Sequence, residues 1–353
     1  MTNLISVLKT VLYHPIGMYH TYKRSAEINA SLSDKPKIFL LNVPTHGNLG
    51  DHLISVAAQK FFADNCANYQ IVPITSSDLY FSISISLRSA TPDDILCITG
   101  GGFLGSMYEE ERRLYKIAKR YKNNKIIILP QTIFYENNKT GTSILEKAKR
   151  IYANHPNIYV MAREKATYDL LQQVLIRGRD SNIALTPDIA LYLHNEPNTE
   201  RNTILWCLRN DGEVNAENTK LIEKARYKVQ RLNITQVETD TYIHKFIPVK
   251  NECQEVEKKI QEFGKAKLVI TDRLHGMIYA VITNTPVIAL NNNNGKVEQV
   301  YNAWLSDIPF VKFVSHESEV DDAINSLLEM NNAAYDNSKI ISHFKPIIDA
   351  INA

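Results

Sequence analysis

Short β-branched runs alternate with stretches of helical spacing along most of the chain, and this alternation constrains the fold more than any other feature. The run KIFLLNV (Lys37–Val43) is followed by HLISVAAQKFFAD, whose apolar residues fall at helical intervals. The unit recurs in YQIVPIT at 69–75, DILCITG at 94–100, KIIILPQT at 125–132 and IYVMARE at 158–164. EEERRLYKIAKRY, SILEKAKRIYANH and KATYDLLQQV read as its helices. Successive parallel strands need a long crossover, which a helix supplies. The pattern therefore predicts an α/β protein with a mostly parallel sheet covered on both faces.

Around residues 195–203 the sequence turns polar, and a second series begins with ILWCLRN at 204–210. It continues through KFIPVK at 245–250, KLVIT at 267–271, PVIAL at 286–290 and FVKFV at 310–314. With 353 residues, 44% of them hydrophobic, the chain can fill two cores. The expected organisation is an N-terminal helical arm at 1–34, a doubly wound domain at 35–197, a second at 198–330 and a terminal helical segment at 331–353. Ligands of open α/β sheets bind beyond the carboxyl ends of the strands, so the cleft between the halves is where chemistry is expected.

The balance of 40 Lys and Arg against 38 Asp and Glu leaves a net charge of +2 and no block of like charge, which argues against nucleic acid as a partner. Cys66, Cys97, Cys207 and Cys253 are widely spaced, as in a cytoplasmic protein with reduced thiols. No His, Cys and carboxylate set has metal-ligand spacing, so neither metal nor cofactor is expected. Lys9 interrupts the N-terminal apolar run and Pro15 breaks it, which argues against a membrane span. An amphipathic helix packed on the domain is favoured there over one lying on a membrane surface as a peripheral contact.

The loops after the strands carry the candidate residues. NVPTHGNLGDHL, at 42–53, brings His46, Gly47, Asn48, Gly50, Asp51 and His52 to a helix N-terminus. Bare amides there suit an anion or a hydroxyl-rich sugar, and Asp51 is placed to cap. The stretch is neither a dinucleotide fingerprint nor a Walker A loop. In ITGGGFLG, Gly101 and Gly102 allow a ligand or a neighbouring backbone to come close. Arg163 and Arg209 each end a predicted strand, one in each half, and a guanidinium fork matches carboxylate or phosphate. After KLVIT, Arg273 and His275 project at the entrance to an apolar helix, an arginine to grip an anion and a histidine to move a proton. Helix capping by Asp51, backbone-satisfied His46 and His52, and ordinary salt bridges of the arginines are the plainer readings.

Taken together, GNLGDHL, ITGGGFLG, ARE and above all TDRLHGMIYA followed by TPVIAL resemble the polysaccharide pyruvyl transferase family. The resemblance covers roughly residues 37–313 and implies a GT-B-like fold, two Rossmann-like doubly wound domains facing a central cleft, with a final helix crossing back to the first. It also implies transfer of the pyruvyl group of phosphoenolpyruvate to a sugar of a bacterial surface polysaccharide or its lipid-linked precursor, forming a cyclic ketal. Phosphoenolpyruvate then serves as co-substrate rather than cofactor, and the protein works in the cytoplasm, at the inner face of the membrane where the precursor is lipid-linked. Arg273 matches the family's basic donor-site position; Arg163 and Arg209 are additional clamps, His275 the acid that protonates the methylene carbon, and Asp51 the group that orients or deprotonates the acceptor, with His52 and His46 as alternatives. His46, Gly47, Asn48, Gly50, His52, Gly101 and Gly102 are the acceptor or cleft contacts. Two rival readings are a GT-B glycosyltransferase using a nucleotide sugar and a non-catalytic glycan-binding subunit of a polysaccharide assembly complex.

Overall fold

The computed structural model of the protein describes residues 2–176, 178–195, 200–210, 214–330, 333–334 and 336–353, with side chains from residue 15 onward. The first sheet contains β1 (Lys37–Val43), β2 (Gln70–Thr75), β3 (Ile95–Ile98), β4 (Gly101–Gly105), β5 (Lys125–Phe134), β6 (Ile158–Ala162) and β7 (Ile183–Leu185). Its order is β2-β1-β3-β5-β6-β7 with β4 also paired to β5, and every pairing is parallel. The second comprises β8 (Thr203–Cys207), β9 (Thr235–Thr239), β10 (Ala266–Thr271), β11 (Val287–Ala289) and β12 (Val311–Phe313), in the parallel order β12-β11-β10-β8-β9.

Strand periodicity sorts the first core into two layers. On β1, Phe39 and Leu41 face helices Ser76–Ser86 and Glu110–Arg120, whereas Ile38, Leu40 and Val43 face helix Leu49–Asn65. A buried strand therefore reads as a continuous apolar run rather than an alternation.

One expected strand is absent. KFIPVK is a loop, because Pro248 has no N–H to give a ladder and caps helix Val249–Gly264, while Ile247 N donates to Thr45 O at 3.0 Å. Its place in the sheet is taken by β9, whose residues are mostly exposed. The N-terminal helix runs Thr2–Ala30 with Pro15 inside it, where a break was expected; a proline removes only one hydrogen bond from so long a helix. The expected domain junction at 197/198 lies outside the described residues.

The two halves are joined by backbone contacts that position the cleft. Leu49 N donates to Thr241 O (2.7 Å) and Ile243 N to Gly47 O (2.8 Å), and Tyr279 Oη reaches Leu49 O at 2.9 Å. At the end of the chain, helix Lys345–Asn352 lies on the first sheet, where Lys125 Nζ donates to Ile351 O. No helix among the described residues is long and apolar enough to cross a membrane.

Candidate active site

The carboxyl ends of both sheets open into a cavity of about 360 Å³. From the first half come Asn42, His46, Asn48, Asp51, Gly102 and Arg163; from the second come Arg209, Arg273, His275 and Lys296. Residues that the sequence places on separate loops thus meet in one space.

His275 is the second residue of helix Leu274–Ile282, within its first turn, after Arg273, which occupies the N-cap position. Its ring presses on the chain at Gly50, where a Cβ would lie 2.2 Å from Nδ1. Nε2 is buried, without a hydrogen-bond partner, and faces Asp188 Oδ2 at 3.6 Å. Asp188 in turn takes a 2.8 Å hydrogen bond from Arg163 Nη1 and one from Ala190 N at 3.0 Å. Burial alone would raise the Asp188 carboxyl, but the neighbouring imidazole, the Arg163 charge and the Ala190 amide outweigh it and bring it to about 2. A fixed negative charge therefore stands behind the histidine and one arginine.

Asp188 is the residue that sequence reasoning missed. TPDIALYL reads as a polar turn, and the only available signal was a carboxylate shortly after a short strand, β7.

The arginines differ in what they have left to offer. Arg163 is buried, with Nε on Thr132 Oγ1 and Nη1 on Asp188, while Nη2 lies beside Gly102, next to Lys296 Nζ. Arg273 is also buried and pairs through Nη2 with Asp240 Oδ2 at 2.8 Å. The backbone N–H of Arg209 donates to Asp272, which ties the ends of β8 and β10 together. A guanidinium carries five donors, so a carboxylate partner fixes its orientation without engaging all of them.

Across the cavity, Asn48 rather than Asp51 caps helix Leu49–Asn65, its Oδ1 accepting from Gly50 N. Asp51 accepts from Asn48 Nδ2 at 2.9 Å and faces His46 Nε2 at 3.6 Å, with both side chains partly open to solvent. Asn42, at the end of β1, holds the left-handed conformation (φ 68°), a strained backbone at the cavity wall.

Four expected contacts lie elsewhere. His52 is fully buried, its Nδ1 on Glu252 Oε1 and its Nε2 on His46 O, both at 2.8 Å; with both nitrogens engaged away from the cavity it belongs to the joint between the halves. Gly47 serves that joint too, since a Cβ there would lie 1.5 Å from Ile243 O. Gly50 leaves room for the His275 ring, and Gly101 adopts φ +135° within β4. Among the described residues, no group of three or more His, Cys, Asp or Glu could hold a metal ion.

Two parallel α/β halves around a cavity at their strand ends define a GT-B-like protein. A UDP-GlcNAc 2-epimerase of Methanocaldococcus jannaschii shares this fold, with a TM-score of 0.50 at 14% identity over 90% of this chain and 100% of that one. The polysaccharide pyruvyl transferase model matches residues 48–294, and the chain belongs to that family. It is 32% identical to general stress protein 30 of Bacillus subtilis, covering 92% of this chain and 94% of that protein. To pyruvyl transferase 1 of Schizosaccharomyces pombe it is 28% identical, covering 85% and 77%.

Proposed function

We propose that the protein transfers the pyruvyl group of phosphoenolpyruvate to two hydroxyls of a surface-polysaccharide sugar or its lipid-linked precursor, forming a cyclic ketal. The observation that carries this reading is the convergence of Arg163, Arg209, Arg273 and Lys296 with His275 and Asp51 in one cavity of a pyruvyl transferase family member. Phosphoenolpyruvate presents a phosphate and a carboxylate on adjacent positions, and a cluster of cationic donors suits both.

In this mechanism His275 gives a proton to the methylene carbon, and positive charge develops at the carbon that bears the phosphate. A sugar hydroxyl adds there while Asp51, held by Asn48 and facing His46, takes its proton. Phosphate then departs, taking up the proton held by Asp51, and the second hydroxyl closes the ring as its own proton returns to His275. Asp188 is the positioning residue: its charge, 3.6 Å from the buried Nε2, orients the His275 ring and stabilises the charged imidazole.

The test is incubation with phosphoenolpyruvate and native lipid-linked precursors, followed by phosphate release and mass spectrometry for the added pyruvyl group. Selective thermal stabilisation by a nucleotide sugar, with none by phosphoenolpyruvate, would reverse the reading. His275→Ala is expected to lower turnover at least about a hundredfold with the fold intact, and retained turnover removes it from the acid role.

A further inference from the structure

We propose that the outer helix layer of the first sheet is a docking surface for an anionic phospholipid membrane. Helices Thr2–Ala30, Ser76–Ser86, Glu110–Arg120 and Lys139–Asn154 form this layer, their inner sides packing over Phe39, Leu41 and Ile128. Two grooves cut its outer side. One, of about 650 Å³, sets Lys119, Lys122, Lys147 and Arg150 around Ile151 and Pro156. The other, of about 400 Å³, sets Arg112, Lys116 and Lys119 opposite Tyr80 and Ile83. Lys119 and Lys147 line both, so the grooves form one continuous surface.

The charge of this surface is only partly neutralised locally. Glu109 pairs with Arg112, Glu110 with Arg113 and Glu146 with Lys149, which leaves the lysines of the grooves. Lys116, Lys119 and Lys122 stay exposed, with no carboxylate partner among the described residues. In a chain of net charge +2 this is a local concentration, not general basicity.

Clustered cations alone would fit any polyanion; the aromatic neighbours select a membrane. Tyr80 is 61% exposed, and the adjoining N-terminal helix adds Tyr19 and Tyr22, exposed by 65% and 55%. That helix is tied to the layer through Ser25 Oγ on Ile85 O, the Arg24–Asp78 pair and Arg88 over the Tyr22 ring. A tyrosine ring with a polar tip suits the headgroup level, between lysines that seek phosphate. The placement is also useful: helix Glu110–Arg120 begins at Glu110, which with Tyr108 lines the active cavity, so a membrane on this face lies beside the cavity mouth.

The inference concerns binding alone, so it is tested with neither donor nor acceptor present, and its failure would leave the proposed reaction standing. The full chain is floated with vesicles of phosphatidylcholine alone or with 30% phosphatidylglycerol, at low and high salt. Binding is expected only to the anionic vesicles, weakening as salt rises. Each cation near the surface contributes roughly fivefold in partition, so Lys116→Gln/Lys119→Gln/Lys122→Gln/Lys147→Gln should weaken binding on the order of a hundredfold or more. Tyr19→Ser/Tyr22→Ser should weaken it less, and both variants should retain the parent melting temperature and turnover on a water-soluble acceptor. Equal binding to neutral vesicles, no vesicle binding, retention on polyphosphate without vesicle binding, or undiminished binding by the folded quadruple variant would each overturn the proposal.

Discussion

Asp188 and Glu111 are both fully buried carboxylates, and their surroundings drive them in opposite directions. Asp188 lies between Arg163 and His275, and the charges and hydrogen bonds around it overcome burial and lower its carboxyl to about 2. Glu111 lies among neutral donors, with Gly105 N at 3.0 Å and the Tyr135 hydroxyl at 3.1 Å. Burial dominates there and raises its carboxyl to about 7, against the smaller opposing effect of these bonds. Neutral donors satisfy a carboxylate without compensating its charge; cations do both. The first carboxylate is therefore a permanent charge behind His275 and Arg163, and the second is a clasp that holds the end of β4, the glycine-rich strand whose Gly102 forms part of the cavity wall.

Asp188→Asn breaks the comparison most severely, because it keeps the shape of the side chain and removes the charge. Among the described residues, Arg163 then keeps only the more distant Glu164 Oε2, at 3.9 Å, as an ionic partner, which should cost up to about 3–5 kcal/mol of stability in denaturant unfolding. Turnover should fall by roughly a hundredfold or more, since the His275 ring loses both its orienter and its counter-charge. A positioning role also predicts a shifted pH profile of turnover in the folded variant, whereas a merely structural role predicts an unchanged one.

Most of the strand framework was legible because parallel strands buried on both faces are continuous apolar runs. β4 was not, since GGFLG has little strand propensity and owes its conformation to pairing with β5; β7 was not, since IAL is only three residues long; and β9 was not, since TQVET has no buried face to mark it. At the site, Arg163, Arg209, Arg273 and His275 were legible from their positions at strand ends. Asp188 was hidden because its importance lies in two contacts distant in sequence. The glycines announced only that something comes close. At Gly47 and Gly50 that something is the other half of the protein, Ile243 O and the His275 ring, where a ligand had been expected.

Glu111→Gln sharpens the comparison from the other side. Glu111's folded value is raised, so its contribution to stability is complete below the ordinary glutamate range and is lost as pH rises through about 7. The parent should therefore lose stability between about pH 5 and pH 8, by on the order of 3 kcal/mol from this group. Glutamine stays neutral, its Oε1 can still accept from Gly105 N and its Nε2 can donate to the Tyr135 hydroxyl, so the variant should be the more stable one at pH 8 and close to the parent near pH 4. Asp188 has the opposite sign, its contribution being present above the ordinary aspartate range and lost only as pH falls through about 2. Parallel unfolding curves for parent and Glu111→Gln across this range would show that Glu111 is not the group responsible.

Another buried carboxylate, Glu252, tests whether a histidine beside a carboxylate is enough to make a catalytic pair. Its Oε1 meets His52 Nδ1 at 2.8 Å, closer than Asp188 stands to His275, and Ser55 and Gln59 donate to its other oxygen. The difference is access: His52 has its second nitrogen on His46 O and no exposed surface, while His275 lines the cavity. His52→Ala should accordingly cost about 1–3 kcal/mol, because Glu252 loses a buried donor, and should leave turnover within a few-fold of the parent at temperatures where the variant is folded. His52→Gln, able to restore one of the two bonds, should recover part of the stability. A loss of turnover comparable to that of His275→Ala in a fully folded His52→Ala protein would place this pair, too, within the reaction.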